Sequence, residues 1–137
     1  MAATLGDEEY AEILEFRTAL RRFLEWSGKQ AIDAGVTPTQ HQLLLAIRGR
    51  DYRLGLTVGE VAEALLLKHH SAVELVDRAL DNGLVQKRQD PADRRLVRVR
   101  LTRKGEKALE RITLANLDEL MRLGPRLTQL FRQFEAG

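Results

Sequence analysis

Apolar residues recur every three or four positions in two long segments near the two ends of the chain. In the first segment, from Asp7 to about Asp33, they stand at Ile13, Phe16, Leu20, Phe23 and Leu24. This spacing predicts one long helix with an apolar face and a charged opposite face. Gly35 suits the end of that helix, because glycine readily takes the left-handed conformation.

The second long segment begins after Thr102, which can cap a helix. Its apolar side is marked by Leu109, Ile112, Leu117, Leu120 and Met121. Gly124 and Pro125 predict a kink or a break, since a proline inside a helix removes one backbone hydrogen bond and crowds the preceding turn. A shorter helix from Leu127 to Phe134 is expected to follow.

Three shorter helices are predicted between these segments. The stretches "TPTQ" at residues 37–40 and "TVGE" at residues 57–60 each match a capping box at a helix start. The first of these helices is expected to end near Gly49. The run "SAVELVDRALDNG" predicts the third helix, which ends at Gly83.

A two-residue alternation then replaces the helical period. The runs "LVQKRQ" and "LVRVRL" flank the turn "DPADRR", which predicts a β-hairpin. The apolar residues of the second strand are expected to face inward: Leu96 or Val97, Val99 and Leu101. The arginines between them, Arg98 and Arg100, are expected to face outward. Helix, turn, helix and hairpin together indicate a mainly α (α+β) fold with a winged helix-turn-helix.

The distribution of charge along the chain indicates what kind of partner it binds. The chain of 137 residues has 44% apolar residues and a formal net charge of only +2. Residues 1–35 hold seven acidic and four basic side chains, whereas residues 84–107 hold nine basic and three acidic ones. Such a concentration of positive charge is typical of a surface that binds a polyanion, although a solvated basic hairpin would look the same.

Several classes of function are excluded or disfavoured. The chain has no cysteine, which excludes disulfides, thiolate nucleophiles and Cys-ligated zinc. Its three histidines have no acidic cluster beside them, so no metal and no cofactor are expected. No catalytic constellation or glycine-rich phosphate loop is recognisable, so an enzyme is not expected. The acidic N-terminus and the lack of a long apolar run predict a cytoplasmic protein that does not enter membranes.

Residues 36–109 resemble the MarR family of winged helix-turn-helix transcription regulators. The resemblance depends on "TPTQHQLLLAI", "LTVGEVAEAL" and, most specifically, "VDRALDNGLV", "DPADRR" and "LTRKG" in this order and spacing. It implies a homodimer that binds pseudo-palindromic double-stranded DNA, often a repressor released by a small aromatic or phenolic molecule. The expected segments are an N-terminal dimerisation helix (1–35), a DNA-binding domain (36–101) and C-terminal dimerisation helices (102–137).

The expected wing, residues 86–100, has basic residues that are expected to contact DNA and other residues that are expected to shape the turn. The resemblance implies that Arg95 enters the minor groove, with Arg94 at a phosphate or in the same groove. Asp90, Pro91 and Asp93 are expected to shape the turn, because aspartates can bond nearby backbone amides and hold an arginine. General attraction to phosphates is expected from the remaining basic side chains: Lys87, Arg88, Arg98 and Arg100.

The expected recognition helix, residues 71–82, is assigned to the major groove. Ser71 is expected near its start, with His69 and His70 just before it or in its first turn, where they can contact a phosphate or a base edge. Glu74 can accept from cytosine or pair with Arg78, and the sequence leaves both readings open. Arg78 is also a candidate for phosphate contact.

Two further assignments remain open at the level of sequence. Trp26 and His41 are candidates for a ligand pocket, as are Tyr10 and Tyr52, but packing in a core or dimer interface is the favoured interpretation of such residues. The apolar faces of the two terminal helices can pack on their own domain or be covered by a second chain. A second chain covers them better, because this chain is too small to cover both faces. A winged-helix module that binds protein instead of DNA is the alternative function.

Overall fold

The computed structural model describes residues 4–51 and 53–136; Tyr52, one of the pocket candidates, lies outside them. Five helices and one antiparallel sheet make up this part of the chain. They are α1 (Asp7–Asp33), α2 (Pro38–Asp51), α3 (Val58–Leu65), α4 (His69–Asp81), β1 (Val85–Gln89), β2 (Val97–Leu101) and α5 (Arg103–Ala136). The mainly α fold with a hairpin is confirmed, and none of the described helices is long and apolar enough to cross a membrane.

Capping boxes start two of the helices, as the sequence predicts. The backbone N–H of Gln40 donates to Oγ1 of Thr37 at 3.1 Å, while Oε1 of Gln40 accepts from the Thr37 N–H at 3.0 Å. Thr57 and Glu60 form the same pair of bonds at the start of α3, at 3.1 and 3.2 Å. These bonds satisfy N–H groups that a helix start leaves free.

The core lies where α2, α3 and α4 meet β2 and the first turns of α5. Its largest fully buried side chains include Leu43, Leu44, Ile47, Val61, Val76, Val99 and Ile112. Because Leu109 and Ile112 also belong to this core, the start of α5 packs on the same body as the helix-turn-helix. The remainder of α5 packs along α1, where the rings of Phe16 and Phe131 lie 5.5 Å apart.

A third short strand segment joins the hairpin to this body. Leu56 and Val99 exchange two backbone hydrogen bonds, at 2.7 and 3.0 Å. Gly55, just before the bridge, has a φ of +84°, and a Cβ there would lie 2.2 Å from the Val99 carbonyl oxygen. Only glycine therefore allows the two backbones to approach this closely.

Pro125 does not interrupt α5, so the predicted break after Gly124 is wrong. The helix runs from Arg103 to Ala136 with Pro125 inside it. Contacts hold the helix just beyond the proline: Nε of Arg126 donates to Oε1 of Glu15 on α1 at 2.6 Å, and Leu130 is fully buried. Tertiary packing thus outweighs the local cost of the proline.

Other boundaries and orientations differ in smaller ways. The recognition helix begins at His69, two residues before the predicted start, with Lys68 as its N-cap. Val99 and Leu101 face inward as predicted, but Leu96 and Val97 are 38% and 46% exposed. Both follow the turn directly and lie outside the hydrophobic core.

Candidate nucleic-acid interface

The wing turn is organised by the buried carboxylate of Asp90. Its Oδ1 accepts the backbone N–H groups of Ala92 and Asp93 at 2.7 and 2.8 Å. The Asp90 N–H donates to the Leu96 carbonyl oxygen at 3.0 Å and so closes the turn. The Arg98 guanidinium and the two backbone N–H groups hold the pKa of the Asp90 carboxyl below its usual value. The aspartate therefore fixes the turn, as the sequence predicted for it.

Asp93 performs the second predicted task and holds an arginine. Nε and Nη2 of Arg95 donate to Oδ1 and Oδ2 of Asp93, both at 3.1 Å. The Arg95 side chain remains 90% exposed, so the pair stands at the tip of the wing. Arg95 lowers the pKa of the Asp93 carboxyl, which therefore stays ionised at neutral pH. This two-point contact sets the direction of the Arg95 side chain.

Arg98 does not face outward, which corrects the prediction from strand alternation. Its Nε donates to Oδ2 of Asp90 at 2.5 Å, and its Nη1 donates to the Gly55 carbonyl oxygen at 3.2 Å and to Oε1 of Glu60 at 2.9 Å. The side chain is only 17% exposed. The loop before α3 covers this face of β2, so Arg98 links the wing turn to the start of α3 instead of facing solvent.

Three of the remaining wing cations are exposed, whereas Arg100, which was predicted to face outward, is half-buried. Within residues 4–51 and 53–136, the charged groups of Lys87, Arg88 and Arg94 have no hydrogen-bond or ion-pair partner. Arg88 stands opposite Arg98 in the sheet register, but the charge of Arg98 is offset by Asp90 and Glu60. The hairpin thus presents positive charge that nothing in the described chain neutralises.

Helix α4 has one buried and one exposed face. Its buried face consists of Ala72, Leu75, Val76 and Ala79. His69, His70, Glu74 and Arg78 are exposed, and Ser71 is half-buried. Glu74 forms no ion pair with Arg78 among the described residues, so their carboxylate and guanidinium both remain available.

A polar groove beside α4 includes residues that the sequence interpretation missed. The groove has a volume of about 330 Å³ and lies between α4 and the start of α2. Ser71, Glu74 and Arg78 line one side, and Thr37, Thr39 and Gln40 line the other. The capping box revealed that a helix starts at Thr37, but no local pattern placed that start beside the recognition helix.

A separate cavity of about 450 Å³ lies between α1, α2 and α5. Its lining is mostly apolar and consists of Phe23, Leu24, Ser27, Gly28, Pro38, His41, Gln42, Leu45, Thr113, Asn116, Leu117 and Leu120. His41 was predicted to lie in such a pocket and does line it, whereas Trp26 does not. Burial lowers the pKa of His41, which keeps its imidazole neutral. Asn116 has no local sequence signal that would have singled it out.

Two of the residues that line this cavity each have a buried polar atom without a partner. The atoms are Nε2 of His41 and Oδ1 of Asn116, both buried and without a hydrogen bond in the described part of the chain. The described residues contain no group of three His, Cys, Asp or Glu side chains that could hold a metal ion.

Comparison with known proteins finds one family in sequence and in fold. The model of the MarR family matches residues 34–96. The uncharacterized HTH-type transcriptional regulator YsmB of Bacillus subtilis is 30% identical over 107 residues, which covers 77% of this chain and 70% of YsmB.

Solved structures share the fold at lower identity. AbsC, a MarR family transcriptional regulator from Streptomyces coelicolor, is 17% identical with a TM-score of 0.76, covering 98% of this chain and 93% of AbsC. A point mutant of MepR from S. aureus, bound to an oligodeoxyribonucleotide, is 20% identical with a TM-score of 0.67, covering 96% of this chain and 93% of MepR.

Proposed function

Because the chain belongs to the MarR family of winged helix-turn-helix transcription regulators, we propose that it represses transcription by binding a pseudo-palindromic operator as a homodimer. It is a regulator with a DNA-binding winged helix and not an enzyme. The observation that carries the proposal is the wing, in which acidic residues are hydrogen-bonded internally and the cations at the tip remain exposed.

In the proposed complex, α4 lies in the major groove. A helix with one face in the core and the other in solvent can enter the groove without unfolding. Ser71 and Glu74 are assigned to base edges, and His69, His70 and Arg78 to phosphates or bases. Thr39 lies beside this face and can add a backbone contact.

The wing is assigned to the minor groove. Asp93 holds the exposed Arg95 at the tip of the wing, and a guanidinium in a narrow A·T-rich groove is strongly attracted by the negative potential of the groove. Arg94, Lys87 and Arg88 are assigned to nearby phosphates. Arg98 is assigned to positioning the wing, because its Nε and Nη1 donate to groups within the chain and its side chain is only 17% exposed. The oligodeoxyribonucleotide bound to the similarly folded MepR mutant supports this general mode.

Dimerisation is assigned to the terminal helices, residues 1–35 and 102–137. Many of their apolar side chains are exposed, among them Ile13, Leu14, Leu24, Leu114, Leu117, Met121 and Phe131. A second copy of the chain would cover such faces, and a symmetric dimer would place two recognition helices about one turn of DNA apart.

The cavity between α1, α2 and α5 is assigned to a small effector. It lies where the proposed dimerisation helices meet the first helix of the DNA-binding domain, so a bound molecule can change how the two parts are arranged. Release from operator DNA in the cytoplasm is the proposed outcome.

A gel shift with a duplex from the region upstream of the chain's own gene tests the DNA-binding proposal. Binding should be strong at low salt and should weaken steeply as salt rises, because phosphate contacts release counterions. A duplex of equal length and scrambled sequence is the control. Absence of binding at low salt would favour the alternative of a protein-binding module, for which the unneutralised cations of the wing have no evident use.

A further inference from the structure

In the N-terminal half of α4, Glu74 is the only acidic side chain. Residues 69–75 have the sequence HHSAVEL, and Lys68 stands directly before them. The two other acids of this helix, Asp77 and Asp81, lie closer to its C-terminus. Because the N-terminal residues of a recognition helix make the contacts with base edges, Glu74 is the carboxylate that the proposed complex brings to the bases.

The Glu74 side chain lies on the exposed side of α4. Neighbouring residues of a helix are roughly 100° apart around its axis, because one turn contains about 3.6 residues. Glu74 is two residues from both Ala72 and Val76, which are buried, so its side chain points roughly 160° away from either of theirs. The exposed His70 stands one turn before it on the same side. Glu74 therefore faces outward, where the floor of the groove would lie.

The Glu74 carboxylate has no hydrogen-bond or ion-pair partner within residues 4–51 and 53–136. Arg78 is four residues further on, where helical ion pairs form, yet the two side chains do not pair. The wing aspartates, in contrast, are bonded to backbone N–H groups and to arginines. Glu74 thus adds no side-chain bond to the described part of the fold, and its carboxylate is free to bind a group outside the chain.

The chemistry of the major groove leaves few partners for a carboxylate. An ionised carboxylate can only accept hydrogen bonds, and the donors on base edges are the amino groups of cytosine and adenine. Adenine also presents its N7 acceptor beside the amino group, which repels a carboxylate, whereas cytosine presents a donor alone. Cytosine is therefore the base that suits Glu74. A glutamine, which both donates and accepts, suits adenine instead.

We propose that Glu74 makes each half-site of the operator require a cytosine, whose N4 amino group donates to the carboxylate. The inference rests on the proposed function, since it specifies which base the recognition helix reads. Where another base stands at that position, the carboxylate lies unpaired among phosphates and base acceptors and is repelled. Glu74 thus weakens binding to other sequences more than it strengthens binding to the operator.

Selection of bound duplexes from a randomised library tests the proposal on the full-length chain. The unmodified chain is expected to enrich cytosine at one position of each half-site. Glu74→Gln should enrich adenine at that position, and Glu74→Ala should show no preference there. In a binding titration, exchange of that C·G pair should lower the affinity of the unmodified chain about tenfold and leave that of Glu74→Ala nearly unchanged.

Asp81→Asn is the matched control, because it removes the same charge from the last turn of α4 and should keep the cytosine preference. The proposal is overturned if Glu74→Ala retains every base preference of the unmodified chain, or if the selected sites require no cytosine. A loss that is equal across all sequences also overturns it, because base reading changes preference at one position. If Glu74→Ala does not fold, Glu74→Gln, which has nearly the same shape, decides the question.

The same selection separates this inference from the proposed function. If the unmodified chain enriches no sequence, both are overturned. If it enriches a sequence whose base preferences do not depend on Glu74, only the inference about cytosine is overturned, and the chain remains an operator-binding regulator.

Discussion

The wing and the cavity treat their polar groups in opposite ways. In the wing, Asp90 and Asp93 bond to backbone N–H groups and to arginines, and Arg98 donates to three different acceptors. In the cavity, buried atoms of His41 and Asn116 have no partner. An unpaired buried polar group costs stability, so these atoms of His41 and Asn116 oppose folding locally, whereas the bonds of the wing hold it in one shape.

The largest effect is expected from Arg98→Ala, which opens the wing network. The carboxylates of Asp90 and Glu60 lose their shared partner, and the hairpin loses its side-chain link to α3. We expect operator affinity to fall about 10- to 100-fold although Arg98 itself is assigned no DNA contact. Fluorescence anisotropy with labelled operator measures this loss.

Arg98→Lys is the matched variant for that experiment. It keeps the charge but cannot reproduce a planar fork with several donors, so it should restore only part of the affinity. Full restoration by lysine, or an unchanged affinity in Arg98→Ala, would show that the network does not position the wing.

A smaller effect is expected from Arg95→Ala, which removes an exposed contact without disturbing the turn. Operator affinity should fall about tenfold, and the slope of log affinity against log salt should decrease by about one unit for the one lost ionic contact. Arg132→Ala removes an exposed charge from α5 and serves as the control for net charge. Equal slopes for the two variants would mean that Arg95 stays in solvent.

The smallest expected effect is a pH dependence of stability. It should distinguish His41, which lines the cavity, from the carboxylates of the wing. Burial lowers the pKa of His41 in the folded chain. Below the ordinary histidine pKa of about 6.5, the unfolded chain therefore binds more protons at His41 than the folded chain does. The contribution of neutral His41 to the free energy of unfolding is fully present above about pH 6.5. It is lost as the pH falls from there through the lowered pKa of the folded state. Tm should therefore begin to fall below about pH 6.5, and His41→Leu should remove that part of the slope.

The wing carboxylates should not contribute in that window. Bonds from Thr57 lower the pKa of Glu60, and bonds from Arg98 lower the pKa of Asp90. Their stabilisation is complete above their ordinary values near pH 4 and is lost only as pH falls further. An Asp90→Asn variant that flattened the Tm profile between about pH 5 and 6.5 would contradict this separation.

Features decided by neighbours in sequence could be predicted. The capping boxes at Thr37 and Thr57 and the bonds from Asp90 and Asp93 to nearby N–H groups join residues two or three positions apart. At such distances the residue types alone define the geometry. The order of the elements follows from the same local signals and from the hydrophobic period.

Features decided by distant contacts could not be predicted. Arg98 meets Gly55 and Glu60, which are 43 and 38 residues away, so strand alternation wrongly placed it outside. Pro125 suggested a break that packing against α1 prevents. Asn116 is one polar residue within a long helix, and only the assembled cavity shows that its oxygen lacks a partner.

The glycine before the Leu56 bridge has a consequence for how regulation can work. A backbone bridge lies on one side of Gly55, and Arg98 donates to its carbonyl oxygen, so both backbone and side-chain bonds attach the hairpin to the helix-turn-helix. We therefore expect the wing tip and the recognition helix α4 to move together. In the proposed dimer, an effector would then act on the separation between the two copies and not on the wing alone.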